Sequence, residues 1–126
     1  MKEKQHVILL VDDNDSIREL LAQVFAKNGY LVKQACNASQ AMSLFTPEVD
    51  LVITDLDMPD VNGMELTYRL KAKAPVPIAA ITGLKFRGPK PFEAVLHKPV
   101  LPGVLLKTVK VLLERKELEK DSSSPV

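Results

Sequence analysis

Short runs of consecutive apolar residues recur along the chain and contain almost no polar positions. They occupy residues 7–11, 51–54, 78–81 and 94–96 and are rich in branched side chains. Apolar runs of this kind are typical of strands that are buried on both faces of a parallel sheet. A less regular run at 30–35 predicts a weaker strand, so we expect five strands in all.

Between these runs, apolar residues recur every three or four positions, as on one face of an amphipathic helix. This spacing predicts helices around 17–25 and 104–113, and Gly29 ends the first of them. Shorter helices are predicted at 39–45 and 63–73. Strands that alternate with helices indicate crossover connections, and therefore a parallel sheet covered by helices on both faces. The predicted class is α/β with three layers.

Glycine and proline interrupt this alternation before the last predicted strand. Gly83, Gly88, Pro89 and Pro91 fall where the fourth crossover helix would lie. Such residues allow at most one turn of helix there, because glycine and proline disfavour helix interiors. We therefore predict a shortened or missing fourth helix.

Length and composition favour one globular domain. The chain has 126 residues, of which 46% are hydrophobic, and its formal net charge is +1. This charge provides no basic field for nucleic acid. Cys36 is the only cysteine, so no intramolecular disulfide can form. No apolar run is long enough for a membrane span or a secretory signal, so we expect a cytoplasmic protein without membrane contact. We predict a domain at 1–120 and a disordered, Ser-rich tail at 121–126.

Polar residues follow the predicted strands at the point where each strand ends. Asp12 and Asp13 follow the first strand, Asp55 follows the third, Thr82 the fourth and Lys98 the fifth. Ligands of open parallel sheets bind beyond the carboxyl ends of the strands. Three carboxylates at this edge would repel one another unless a cation neutralised them. Because the donors are oxygen atoms only, we expect Mg²⁺ or Mn²⁺.

The same edge carries groups suited to a phosphoryl group. Lys98 supplies a compact positive charge and Thr82 a hydroxyl donor. An aspartate at the centre of such a site can act as the nucleophile and form an acyl phosphate that water later hydrolyses.

Several short motifs coincide with these positions. They are the acidic pair Asp12-Asp13, the run 53–59 that ends in Met-Pro, and the pairs Asn62-Gly63, Thr82-Gly83 and Lys98-Pro99. Together they resemble the receiver domain of two-component response regulators, over nearly the whole chain. The resemblance implies a flavodoxin-like, doubly wound sheet of five parallel strands in the order 2-1-3-4-5.

The resemblance also implies a role for each acidic residue. Asp55 would be the phosphoacceptor. Asp13 would bind the metal directly, Asp12 mostly through water, and Asp57 through its backbone carbonyl. The role of the Asp57 side chain stays open at this point.

By the same resemblance, Thr82 and Lys98 would hold the phosphoryl group. The donor would be a sensor histidine kinase or a histidine phosphotransfer protein, and the signal would pass to a downstream protein. Such a domain phosphorylates and dephosphorylates itself only, and is not a multiple-turnover enzyme.

Two features depart from the family pattern. Val95 stands three residues before Lys98, where many members have an aromatic switch residue, and the interval from Thr82 to Lys98 is short. We therefore expect phosphate capture to be retained and signal read-out to be altered. A binding module that works without phosphorylation is the main alternative.

Two further interpretations remain open. The pair formed by Asp55 and Asp57 is similar to the nucleophile and general acid of haloacid-dehalogenase-type phosphatases. Separately, Asp12, Asp13 or Asn14 could cap the first helix, because short oxygen-bearing side chains are preferred there.

Overall fold

In the computed structural model, residues 4–58, 63–84 and 90–122 are described, and side chains are described as far as residue 119. The strands are β1 (Val7–Val11), β2 (Leu31–Ala35), β3 (Leu51–Asp55), β4 (Ile78–Thr82) and β5 (Ala94–His97). The helices are α1 (Asp15–Lys27), α2 (Ala38–Leu44), α3 (Gly63–Lys73) and α4 (Pro102–Ser122).

The five strands form one parallel sheet in the order β2-β1-β3-β4-β5. This confirms the predicted α/β class and strand order. All residues of β1, β3 and β4 are buried, which explains why their sequences lack polar alternation. The edge strand β2 is only partly buried, which accounts for its weaker apolar pattern.

Each face of the sheet packs against its own pair of helices. On β1, Val7 and Leu9 contribute to one apolar core, and Ile8 and Leu10 contribute to the other, because successive side chains of a strand point to opposite faces. Helices α2 and α3 cover the first core, and helices α1 and α4 cover the second. The result is the predicted three-layer arrangement.

The connection from β4 to β5 contains no helix within its described parts, 83–84 and 90–93. The missing fourth helix is therefore confirmed for those residues. Phe92 is buried against the core on the α3 side, and both carboxylate oxygens of Glu93 accept hydrogen bonds from Lys71 of α3. These contacts attach the start of β5 to α3 across the face that a crossover helix would cover.

Several observed elements extend further than predicted, helix α4 most of all, since it spans Pro102–Ser122 against the predicted 104–113. Strands β3, β4 and β5 each include one more residue, namely Asp55, Thr82 and His97. Helix α4 continues to Ser122, two residues past the domain boundary predicted at 120, because adding residues to an existing helix is far easier than starting one.

Residues 123–126 of the predicted tail, and 85–89 of the Gly/Pro-rich segment, lie outside the described residues. Within the described residues, none of the helices combines the length and the apolar character needed to cross a membrane.

Candidate functional site

Four adjacent strands bring the predicted polar residues to one edge of the sheet. Asp12 directly follows β1, Asp55 and Thr82 are the last residues of β3 and β4, and Lys98 directly follows β5. Since β1, β3, β4 and β5 are parallel neighbours, their carboxyl ends meet at this edge. A hydrogen bond of 2.9 Å from the Lys98 amide to the Thr82 carbonyl continues the pairing of β4 and β5 into the site.

Three carboxylates form a cluster at this edge. One oxygen atom from each of Asp12, Asp13 and Asp55 lies within 4.8 Å of the other two. Asp12 and Asp55 are buried, whereas Asp13 is exposed. The cluster therefore faces solvent on one side and the sheet on the other.

Helix capping does not account for the two adjacent acids. The N-cap of α1 is Asn14, whose side-chain oxygen accepts a hydrogen bond of 3.0 Å from the Ile17 amide. The Asp12 carboxylate instead accepts a hydrogen bond of 2.9 Å from the Asn14 amide, which orients it toward the cluster. Asn14 therefore caps the helix, whereas Asp12 and Asp13 contribute to the acidic cluster.

The carboxylates destabilise one another in the absence of a cation. Burial raises the pKa of Asp12, and the negative charges of Asp55 and Asp13 add to this effect. The hydrogen bond from Asn14 and the positive charge of Lys98 oppose it without cancelling it. A cation bound between the carboxylates would remove this cost, and oxygen donors alone suit a hard divalent ion. The residues therefore fit Mg²⁺ or Mn²⁺.

Lys98 stands beside the cluster and connects two aspartates. Its ammonium nitrogen lies 3.1 Å from Oδ2 of Asp55 and 3.1 Å from Oδ2 of Asp57. Partial burial alone would lower the pKa of Lys98, but the hydrogen bonds and charges of these two aspartates outweigh burial and raise it. Lys98 is consequently held as a cation next to Asp55.

The Asp57 side chain takes a role that the sequence did not indicate. Its Oδ1 accepts a hydrogen bond of 2.7 Å from the Thr82 hydroxyl, and its Oδ2 accepts one of 2.7 Å from the Gly83 amide. Burial raises the pKa of Asp57, but these bonds and Lys98 outweigh burial, so the net shift is downward. Asp57 is therefore held as a carboxylate against the end of β4.

Asp57 is placed differently from the acidic cluster. Its side chain is not among the clustered carboxylates of the described residues, and its amide donates a hydrogen bond of 2.8 Å to Oδ1 of Asp55. Metal binding by its backbone carbonyl stays a prediction.

Arg18 was not identified from the sequence. Its guanidinium donates a hydrogen bond of 2.8 Å to the Asp12 carbonyl and forms an ion pair of 2.8 Å with Asp15. The hydrogen bond to the carbonyl holds the loop that carries Asp12. An arginine within an amphipathic helix is too common a feature to have signalled this role.

Comparison with known proteins identifies the family. Residues 8–110 match the family model described as the response regulator receiver domain. Sporulation initiation phosphotransferase F of Bacillus subtilis is 46% identical over 72 residues, which cover 56% of each chain. Sensor histidine kinase RcsC of Escherichia coli is 29% identical over 92% of this chain, but the match covers 13% of the kinase.

Solved structures agree with this result. The crystal structure of a CheY-like response regulator receiver domain protein from Methanospirillum hungatei superimposes with a TM-score of 0.85 and 27% sequence identity. The match covers 92% of this chain and 99% of that chain. The match covers 34% of the length of the probable transcriptional regulator ycf27 of Cyanidium caldarium and 56% of the length of phosphotransferase F. The chain therefore spans only part of these curated relatives. The fold, the acidic edge of the sheet and the family match together show that the chain belongs to the response regulator receiver domains of two-component systems.

Proposed function

We propose that the chain is a phosphorylation switch that accepts a phosphoryl group on Asp55. The observation that carries this proposal is the position of the Asp55 carboxylate. It belongs to the acidic cluster with Asp12 and Asp13, and its Oδ2 lies 3.1 Å from the Lys98 ammonium. The proposed nucleophile thus has both a candidate cation site and a fixed positive charge beside it.

The proposed reaction forms one bond and breaks one bond at phosphorus. A carboxylate oxygen of Asp55 attacks the phosphorus atom, and the bond from phosphorus to the donor atom breaks, so that the electron pair leaves with the donor. The donor atom is a histidine nitrogen in a kinase or a histidine phosphotransfer protein, and an acetate oxygen in acetyl phosphate. Water later attacks the phosphorus atom, which releases inorganic phosphate and restores the carboxylate.

The surrounding side chains stabilise charge on the transferred group. Lys98 neutralises one phosphoryl oxygen, and the Thr82 hydroxyl can donate to another. Asp12, Asp13 and Asp55, with the Asp57 carbonyl, would hold Mg²⁺ or Mn²⁺, which supplies further charge neutralisation when bound.

We propose that the protein phosphorylates and dephosphorylates only itself. It would then be a signalling domain of the cytoplasm and not a multiple-turnover enzyme. Its donor is a sensor histidine kinase or a histidine phosphotransfer protein, and its output is a contact with a downstream protein. Val95 is half-buried against the core and has no ring that could change position. We therefore place the output at loops around the acidic site or on α1.

Acetyl phosphate provides a direct test. Incubation with acetyl phosphate and Mg²⁺ should add the mass of one phosphoryl group, and alkali should remove it, because acyl phosphates are hydrolysed by base. A chelator should prevent the addition. Sustained hydrolysis of simple phosphate esters without a labelled protein would instead support the phosphatase alternative.

The metal site leads to a second prediction. Asp13→Ala should weaken Mg²⁺ binding by at least about tenfold, because solvent does not replace a charged ligand at equal strength. Thr82→Ala is the matched control, since the Thr82 hydroxyl contacts Asp57 and not the cluster. Calorimetric titration of both variants measures the difference. Equal affinities would contradict a metal site that includes Asp13.

A further inference from the structure

One carboxylate already uses the donors that a phosphoryl group at Asp55 would need. Asp57 accepts hydrogen bonds of 2.7 Å from both the Thr82 hydroxyl and the Gly83 amide. Its Oδ2 also lies 3.1 Å from the Lys98 ammonium. Thr82 is the last residue of β4 and Gly83 follows it, while Lys98 directly follows β5 and also contacts Asp55.

Thr82 and Gly83 each have one proton to donate, so a hydrogen bond to Asp57 excludes one to another anion. A hydroxyl has one proton and a backbone amide has one proton. The Thr82 proton is directed to Asp57, while the Thr82 oxygen accepts from the Leu84 amide at 3.1 Å. Lys98 has three protons and can serve two aspartates, but Thr82 and Gly83 cannot serve a second anion.

Burial decides which of the two aspartates can move. The side chain of Asp57 is 25% exposed and that of Asp55 is 5% exposed. Rotation of Asp57 away from Thr82 would bring its charge into water, where it is well solvated. Asp55 is the more deeply buried of the two, and it is held by Lys98 and by the Asp57 amide.

We propose that the Asp57 carboxylate is an internal competitor for the phosphoryl-binding donors, and that it must leave Thr82 and Gly83 before the phosphoryl group on Asp55 can be held. This inference rests on the proposed function. In the unphosphorylated protein, Asp57 satisfies these donors and opposes phosphorylation. After transfer, the phosphoryl oxygens take the donors and the Asp57 side chain turns outward.

Removal of the competitor should make the site easier to fill. Beryllofluoride, which mimics a phosphoryl group on an aspartate, should bind to Asp57→Ala about threefold to tenfold more tightly than to the wild type at saturating Mg²⁺. This range reflects charge-assisted hydrogen bonds that are weakened by partial solvent exposure. The initial rate of labelling by acetyl phosphate should rise in the same direction.

Two further variants distinguish occupation of the Thr82 and Gly83 donors from the effect of removing one negative charge. Asp57→Asn retains an acceptor oxygen without the charge, so we expect an affinity between those of wild type and Asp57→Ala. Asp15→Asn also removes one negative charge, but Asp15 contacts Arg18 and its side chain is 77% exposed. We expect Asp15→Asn to bind beryllofluoride as the wild type does. Each variant is titrated with Mg²⁺ first, so that an altered metal affinity is not mistaken for competition.

The amide resonance of Gly83 reports directly on the proposed exchange. In Asp57→Ala it should move upfield, because its hydrogen bond to a carboxylate is lost, and addition of beryllofluoride should move it downfield again. A purely structural role of Asp57 would not produce this recovery.

The outcomes distinguish this inference from the proposed function. Tighter beryllofluoride binding by Asp57→Ala, with recovery of the Gly83 resonance, supports the competitor. Unchanged or weaker binding, in a protein whose wild type is labelled normally, overturns the competitor and leaves the proposed function intact. Absence of labelling and of beryllofluoride binding in wild type and all variants overturns both.

Discussion

Asp55→Asn will take up no measurable phosphoryl group from acetyl phosphate and Mg²⁺. The amide has neither the charge nor the nucleophilic oxygen that forms an acyl phosphate. The side chain keeps its size, and its oxygen can still accept from the Asp57 amide, which donates to Oδ1 of Asp55 over 2.8 Å. We therefore expect loss of labelling in a folded protein, measured by intact mass and by thermal unfolding.

Asp15→Asn is the matched control for this substitution, because Asp15 is an exposed aspartate at the start of α1. It should be labelled to the same extent as the wild type. Full labelling of Asp55→Asn would contradict the assignment. Peptide mapping would then show whether Asp12, Asp13 or Asp57 carries the phosphoryl group.

Asp50→Asn will lower the free energy of unfolding by about 1.5–3 kcal/mol at neutral pH, the range for a hydrogen bond to a charged group. Asp50 is buried at the start of β3. Its carboxylate accepts hydrogen bonds of 2.8 Å from the Val7 amide and 2.8 Å from the Lys4 ammonium. The Lys116 ammonium of α4 lies 3.7 Å away. One charge thus connects the start of β1, the start of β3 and α4.

Removal of one partner from a fully buried ion pair costs more, about 3–5 kcal/mol. We expect the smaller loss for Asp50→Asn because the Lys4 side chain is 64% exposed and is solvated by water when its partner is lost. Asp15→Asn again serves as control, because the Asp15 side chain is 77% exposed and its loss from the pair with Arg18 should cost at most about 1 kcal/mol. Urea unfolding measures both variants. A loss in Asp50→Asn no larger than that in Asp15→Asn would contradict the proposed role of Asp50.

The contribution of Asp50 should depend on pH in a defined direction. Burial raises the pKa of Asp50, but the bonds from Lys4 and Val7 and the charges of Lys4 and Lys116 outweigh burial and hold it below the unfolded value. A lowered folded pKa means that the stabilisation is complete above the unfolded pKa, about 4. It is lost as the pH falls through the lower folded value.

The difference in stability between wild type and Asp50→Asn should therefore be constant from neutral pH to about 4 and should decrease below it. Titrations elsewhere in the protein occur in both proteins and cancel in this difference. A difference that stays constant to strongly acidic pH would show that Asp50 acts through packing and not through its charge.

The sequence alone determined the class of fold and the position of the acidic edge. Strands β1, β3 and β4 are buried on both faces, so their sequences consist almost entirely of apolar residues and are recognisable without tertiary contacts. The polar residues at their ends converge because parallel strands end at one edge of the sheet. The absence of helix at residues 83–84 and 90–93 was also predictable, because glycine and proline act on the local backbone.

Strand ends were less predictable than strand centres. Asp55 and Thr82 belong to β3 and β4, although the predicted runs at 51–54 and 78–81 end one residue before them. Asp55 pairs with Ile81 in the sheet register. Pairing uses backbone groups, which continue past a change in side-chain polarity.

Tertiary structure alone decided how Asp57 and Asp50 are used. Asp57 meets Thr82 and Gly83, 25 and 26 positions away in the sequence, and Asp50 meets Lys4 and Lys116, 46 and 66 positions away. No periodicity or motif encodes such distances, because they depend on how the loop after β3 and the helix α4 lie against the sheet. An aspartate two residues after Asp55 looks the same in sequence whether it faces solvent or accepts hydrogen bonds from the end of β4. Only the position of β4 beside β3 places Thr82 and Gly83 within 2.7 Å of its oxygens.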